Sequence, residues 1–294
     1  MCTGGRIMKK TSQFKNYLQN ESLTFVMETH NALSAKIAQN AGFKALWASS
    51  LTISTAHGVR DCNELSWSQV LDAVRYMVDA TNIPILLDGD SGYGDYNNVR
   101  ILVKNLCQMD VAAVCLEDKL FPKTNSFVSR NQQLASIEEF TAKIKAGKDI
   151  QSDNDFSIIA RTEALICGEP MQEALRRAEA YYAAGADAIL IHSKESTAAE
   201  IVEFAHHWNN RCPLVIVPTK YYKTPTQAFK DAKISMVIWA NHSLRASIKA
   251  MENVCTRIMQ DESLVHVEDS VTSLNQLFDL VNQDELDILD KLYR

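Results

Sequence analysis
The stretch "EDKLFPKTNS" runs from Glu117 to Ser126 and opens on two carboxylates before adding Lys123, Asn125 and Ser126. A second acidic stretch, "LLDGDSGYGD", places Asp88 and Asp90 at the end of another apolar run. With the same side-chain parity, two such carboxylates repel unless a cation or a proton lies between them. With Glu117 they make an all-oxygen donor set, which suits Mg2+ or Mn2+ better than Zn2+. The other reading of Asp88 and Asp90 is a solvated turn, because Asp-Gly and Ser-Gly are common turn dipeptides. Arg161 follows "FSIIA" directly. A guanidinium at a buried strand end needs a partner. That partner is Glu163 or Glu117 in a structural pair, or a carboxylate or phosphoryl oxygen clamped by the planar fork. His192, after "AILI", reads equally as a substrate contact or as a support behind one. Trp47 and Ser49 read as core and cap, or as a wall and donors beside an anion. The chemistry these types share is metal-dependent handling of a small anion.

Such groups need a scaffold that gathers strand ends. Eight short apolar runs recur, at 23–28, 45–50, 83–90, 112–118, 156–163, 187–193, 213–219 and 235–241. Continuous apolar runs suit parallel strands covered on both faces. Amphipathic segments lie between them, as at 66–80, 137–150 and 171–185. Eight alternations of strand and helix predict an α/β fold, a (β/α)8 TIM barrel of typically ~250 residues. A doubly wound sheet is the rival, but no G-x-G-x-x-G follows the first strand. In a barrel, catalytic groups gather at the C-terminal strand ends. Trp47, Ser49, Asp88, Asp90, Glu117, Asp118, Arg161, Glu163, His192 and Asn241 all fall at such ends. Cys115 lies inside an apolar run and reads as core filler.

No Pro- or Gly-rich linker divides the chain, so one domain over 1–294 is expected, with 1–12 flexible. Helical patterns continue from 243 to 294, beyond what one barrel-closing helix needs. Their apolar stripe, with Leu274, Leu277, Leu280 and Val281, is expected to pack on another subunit.

Composition narrows the classes. The 294 residues are 46% hydrophobic, and 30 Lys and Arg face 36 Asp and Glu for a net charge of −6. Without a basic block, nucleic acid is not an expected partner. No apolar run approaches the ~18 residues of a membrane span. The start, "MCTGGRIMKK", lacks a signal-peptide core, which predicts a cytoplasmic protein. Seven scattered cysteines with no C-x-x-C predict reduced thiols.

Taken together, "LLDGDSGYGD", "CLEDKLFPKTNS", "IIARTEA", "GADAILIHSK" and "VIVPTKYYKTP" resemble the isocitrate lyase/phosphoenolpyruvate mutase superfamily. The likeness runs from about Thr24 to the end of the barrel. The loop "EDKLFPKTNS" is similar to that of the phosphoenolpyruvate mutase branch. Lyase branches carry a Cys in this loop as acid/base, and this loop has none.

The resemblance implies an isomerase interconverting phosphoenolpyruvate and 3-phosphonopyruvate, the C–P bond-forming step of phosphonate biosynthesis. It implies Mg2+ held directly by Asp88, with Asp90 and Glu117 completing the site through water. Trp47, Ser49, Ser50 and Leu51 match the substrate cradle, to which Ser126 adds a hydroxyl. Asp61 matches an acid close to the migrating phosphoryl group, and Lys123, Asn125, Arg161 and His192 match the groups holding it. Residues from Asp118 to about Gln133 match a mobile gate, open without ligand and closed over substrate. The assembly implied is a homotetramer of dimers that exchange their last barrel helix. Because the equilibrium favours phosphoenolpyruvate, a downstream phosphonopyruvate-consuming enzyme is implied as a functional partner.

Two departures stand out. Ser50 replaces a usual Gly, which would strain the backbone if φ were positive there. Asp95 adds an acid expected near the metal. The competing readings are phosphonopyruvate hydrolase, whose loop carries Thr where Asn125 stands, a C–C lyase or oxaloacetate decarboxylase, and a non-catalytic pyruvyl-binding sensor.

Overall fold
A computed structural model of the chain describes residues 8–127 and 132–294. All eight apolar runs form strands: β1 Thr24–Thr29, β2 Ala45–Ala48, β3 Ile85–Asp88, β4 Ala113–Glu117, β5 Ser157–Thr162, β6 Ala188–Ile191, β7 Leu214–Ile216 and β8 Met236–Trp239. They pair in parallel, in chain order, and β8 closes on β1. The expected (β/α)8 barrel is the observed fold.

Alternation along each strand explains the continuous apolar runs. Val26, Ala45, Leu86, Cys115, Ile159, Leu190 and Ile238 turn into the barrel, while Leu46, Leu87, Val114, Ile158 and Ile189 meet the surrounding helices. Both faces are buried in β2 to β7, which leaves room for polar residues only at the strand ends, while Phe25 on the outer face of β1 is exposed. Cys115 is core filler, as expected, and burial pushes its thiol well above the usual range.

Of the segment 1–12 expected to be flexible, residues 1–7 lie outside the described residues, and a helix, Lys10–Gln19, begins within the rest. Helix Lys10–Gln19 is ordered because Phe14 and Leu18 pack on the barrel-interior cluster. Thr11 and Ser12 donate to Asp153 and Asp155, and Lys10 Nζ donates to the carbonyls of Val78 and Thr81. Burying each such apolar side chain contributes roughly 1.5–3 kcal/mol.

Short polar residues start several of the crossover helices. Ser66 and Gln69 form a capping box at Trp67–Ala80, and Ser136 accepts from the Glu139 amide at Ile137–Ile150. Gly185, at φ 106°, follows helix Met171–Ala183 and turns the chain toward β6.

The chain divides into two compact units, Met1–Asn241 and His242–Arg294. The second holds helices His242–Asp261, Leu274–Leu280 and Glu285–Tyr293 with a 3-10 turn at Glu268–Ser270. The long pattern expected after 270 is thus two helices. Met259, Leu274, Leu277, Val281, Ile288 and Leu292 are exposed there.

Candidate active site
At the C-terminal mouth of the barrel a cavity of about 60 Å³ is walled by Trp47, Ser49 and Leu51 on one side and Arg161, His192 and Asn241 on another. Asp61, Asp88 and Glu117 form its acidic floor, and Lys123, Asn125 and Ser126 close it from the loop. A larger groove, about 440 Å³, includes Leu214 at the start of β7, Asp231 and Lys233, and carries none of the strand-end groups. Chemistry, not size, singles out the mouth.

Asp88 ends β3 and Glu117 ends β4. Asp90 does not continue the strand, so the parity expectation fails. Its φ is 50°, in the left-handed region that turns the chain back onto the mouth. Gly89 allows this turn because a Cβ there would stand 2.6 Å from Val114 Cγ2. Glu117 N then donates to Asp90 O at 2.8 Å, fixing the two acids' backbones side by side.

Lys123 Nζ sits among these acids, 2.8 Å from Asp61 Oδ1 and 2.5 Å from Asp90 Oδ1. It donates to Ser50 Oγ at 2.7 Å, and Ser50 Oγ donates to Asp88 Oδ2 at 3.0 Å. Burial alone would lower the Lys123 ammonium, but Asp90, Asp61, Asp88 and Glu117 hold it well above the usual lysine range. Burial likewise raises Asp61, yet Lys123 and the hydrogen bonds from Lys123, Asn125 and Ser50 outweigh it and keep its carboxyl low. Asp90 goes the other way: burial, with Asp88, Asp61 and Glu117 adding to it against Lys123, pushes it up to about 7. Glu117 is also raised, by burial, against the pull of Arg161, Lys119 and Lys123.

Among the described residues no three His, Cys, Asp or Glu side chains stand as a ready-made metal cage. Glu117 Oε1 is nevertheless buried without a hydrogen-bond partner there, whereas Asp90 Oδ1 is met by the Lys123 ammonium. Buried carboxylate oxygens left this way are costly without a cation or proton. The donor set therefore fits a hard divalent cation.

Across the mouth, Arg161 Nε pairs with Glu163 Oε1 at 2.5 Å and lies 3.5 Å from Glu117 Oε2. Its Nη2 donates to Ser126 Oγ at 3.1 Å and contacts His192 Nδ1 at 2.9 Å. Burial lowers the His192 imidazole, opposed by Glu163, so the ring is neutral at neutral pH. His192 Nδ1 lies 2.8 Å from the ionised Glu163 Oε1 as well as 2.9 Å from Arg161 Nη2, so it donates to the carboxylate or accepts from the guanidinium, and Nε2 takes the complementary role. That Nε2 is buried without a partner among the described residues. Glu163 was expected only as a pairing partner. It accepts from Ser126 Oγ, pairs with Lys119, and is held well below the usual range, because Arg161, His192 and Lys119 overcome its burial.

The described part of the loop is docked on the site. Asn125 Nδ2 donates to Asp61 Oδ2 at 2.8 Å. The expected gate began at Asp118, but that residue is anchored: its side chain accepts from Tyr181 Oη at 2.6 Å, Arg177 Nη1 at 3.1 Å and the Glu163 amide. Ala135 N donates to Asp118 O and Leu120 N to Gln133 O, stapling the loop's base. Residues 128–131 of the expected gate lie outside the described residues.

The condition for strain at Ser50 is not met, and the expectation for Asp95 fails, each for a local reason. Ser50 opens helix Ser50–Ala56 and is not among the positive-φ residues, so it carries no left-handed strain. Asp95 is exposed and caps helix Tyr96–Gln108 by accepting from the amides of Asn97 and Asn98. It is a cap rather than a metal-site acid. Ser49, besides lining the cavity, caps the helix at Ser50 through the Thr52 amide. Sequence reasoning missed Asn63, which touches both Asp90 and the loop, and Phe127, whose ring meets His192 edge-on at 5.4 Å.

Comparison with known proteins adds the following. The family model described as Phosphoenolpyruvate phosphomutase matches residues 14–259. The phosphoenolpyruvate phosphomutase of Tetrahymena pyriformis is 54% identical over 286 residues, covering 97% of this chain and 95% of that protein. The crystal structure of phosphoenolpyruvate phosphomutase from Streptomyces platensis subsp. rosaceus superposes with a TM-score of 0.94 at 40% identity, over 96% of this chain and 99% of that one. A phosphonopyruvate hydrolase in complex with oxalate and Mg++ gives a TM-score of 0.92 at 36% identity, over 97% and 99%.

Proposed function
Since the chain belongs to the phosphoenolpyruvate phosphomutase family, we infer that it is an isomerase that interconverts phosphoenolpyruvate and phosphonopyruvate. The observation that carries this reading is the convergence of Lys123 and Asn125 from the loop onto Asp61, with no cysteine in the cavity wall among the described residues. A C–C lyase of this superfamily needs a thiol there; a mutase needs donors for a moving phosphoryl group.

The reaction moves the phosphoryl group between O2 and C3 of one pyruvyl unit and needs no external nucleophile. Asp88, Asp90 and Glu117 would hold a divalent cation, Mg2+, which would neutralise the enolate charge of the pyruvyl unit. The Mg++ complex of the hydrolase relative supports that choice. The chain's own residues do the rest. Arg161, fixed by Glu163, presents donors to the phosphoryl oxygens, with the unpartnered His192 Nε2 beside it. Lys123 and Asn125 add two more from the loop, spreading the charge of a loose transition state. Trp47 and Leu51 wall the pyruvyl end. The docked loop leaves little room for water, whose attack would give hydrolysis instead. Opening of the loop for substrate entry and its closure over the loaded site belong to the same reading.

The enzyme is read as cytoplasmic; among the described residues no helix is long and apolar enough to cross a membrane. Its assembly is read as a homotetramer in which dimers exchange the last barrel helix. Phe25 is 36% exposed at the β8–β1 seam, its ring 5.8 Å from that of Trp239, which supports a covering element from a second copy. A phosphonopyruvate-consuming enzyme is the functional partner that would draw the equilibrium toward the C–P bond.

A ³¹P NMR time course with phosphonopyruvate and Mg2+ tests the function. Phosphoenolpyruvate as product supports the mutase. Free phosphate means the hydrolase, and no change means a lyase or a binding protein.

A further inference from the structure
One side chain outside the set discussed so far holds both halves of the site. Asn63 lies between the helices Ser50–Ala56 and Trp67–Ala80. Its Nδ2 donates to Asp90 Oδ2 at 2.7 Å, and its Oδ1 accepts from the Lys123 backbone N–H at 2.8 Å. Asp90 is thereby held from two sides: by Asn63 on Oδ2, and by the Lys123 ammonium, 2.5 Å from Oδ1. Lys123 is held twice as well, its backbone by Asn63 and its amine by Asp61, Ser50 and Asp90. The three residues close a ring of contacts in which neither the loop nor Asp90 can move without breaking a bond to Asn63.

The plainer explanation of Asn63 is its backbone. Its φ is 59°, and Asn is among the residues that tolerate the left-handed region. That accounts for the residue type but not for the direction of the amide, whose donor end faces a carboxylate and whose acceptor end faces a backbone N–H. A carboxylate at this position could not donate to Asp90, and an alanine could do neither.

We propose that Asn63 is a positioning residue that ties the loop's docked position to the orientation of Asp90, so that closing the loop and presenting Asp90 to the divalent cation are one event. The metal half of this proposal rests on the reading of the site given above; the loop half does not.

Asn63→Gly keeps the left-handed backbone and removes both hydrogen bonds. Asn63→Asp keeps an acceptor for the Lys123 amide and removes the donor. Two readouts separate the tie from a merely structural turn. The first is amide hydrogen exchange of the segment 120–127 in the metal-free protein. The second is the Mg2+ dissociation constant by calorimetry. Asn63→Gly is expected to speed exchange at Lys123 by about tenfold, the scale of one lost hydrogen bond, and to weaken Mg2+ binding severalfold. Asn63→Asp is expected to exchange more slowly than Asn63→Gly while binding Mg2+ with altered affinity. Wild-type exchange in Asn63→Gly would show that the residue serves only the turn. Faster exchange with unchanged Mg2+ affinity would show that loop and metal site are not tied. Equal exchange in the two variants would show that Oδ1 does not hold the loop. If the unaltered protein binds no Mg2+, the metal reading fails, and the exchange comparison still decides the loop half.

Discussion
Lys123 Nζ lies 2.8 Å from Asp61 Oδ1, although the two residues are separated by the whole of β3 and β4 in sequence. Both side chains are buried, with relative exposures of 6% and 8%. Removing one partner of such a pair leaves an uncompensated charge and typically costs ~3–5 kcal/mol. The pair therefore does two things: it seats the loop, and it keeps the Asp61 carboxyl ionised.

Asp90 is expected to make metal binding pH-dependent. With its carboxyl pushed up to about 7 by burial and neighbouring acids, it carries a proton below that pH and must release it to hold a cation. Mg2+ affinity is expected to rise toward pH 8 and to fall about tenfold per unit below 7, with proton release on binding. Calorimetry in buffers of different ionisation enthalpy measures that release. Affinity that does not change between pH 6 and 8 would contradict the assignment.

Asp88→Ala should abolish turnover while the protein stays folded. Losing one of several close carboxylates relieves repulsion, so the thermal midpoint should hold or rise. Full activity in this variant, or undiminished activity of the unaltered enzyme in EDTA, would remove the metal from the mechanism.

Ser50 tests a departure from the usual pattern of the family. Its hydroxyl accepts from Lys123 and donates to Asp88. Ser50→Ala is expected to cost ~0.5–1.5 kcal/mol of stability, as for one hydrogen bond. Because no charged group is lost, turnover should stay within about tenfold. A far larger loss of turnover would make Ser50 part of the substrate contacts proper.

The assembly reading predicts an oligomer in sedimentation at micromolar concentration. The apolar faces of Leu274–Leu280 and Glu285–Tyr293 and the exposed Phe25 call for a covering surface. A monomer alone would refute it.

How much of this was legible in the sequence follows from range. The strands were readable because a parallel strand buried on both faces leaves an unbroken apolar run, and even β1, half-exposed on its outer face, kept one. Asp88, Glu117, Arg161 and His192 were readable because a charge directly after such a run is expensive unless it is used. Asp90 was misjudged in direction, since parity ends where the strand ends and its φ of 50° turns it back over the mouth. Asp95 was misassigned because an acid in a glycine-rich turn can equally start a helix, and the amides of Asn97 and Asn98 claim it. Asn63 left no signal: nothing in "RDCNE" marks an amide whose partners, Asp90 and Lys123, lie 27 and 60 residues away. Local patterns announce strands and caps, whereas long-range hydrogen bonds need the fold.

The central assignment is that Asn125 acts on the migrating phosphoryl group and not on the metal. It is tested most directly by the turnover of Asn125→Ala measured beside its Mg2+ dependence. Asn125 donates to Asp61 and touches none of Asp88, Asp90 or Glu117 in the hydrogen bonds it makes through its amide. The expected result is a loss of kcat of ~10²-fold or more, the scale of one transition-state donor, with the Mg2+ requirement unchanged. Wild-type turnover, or a defect confined to weaker Mg2+ binding, would contradict it.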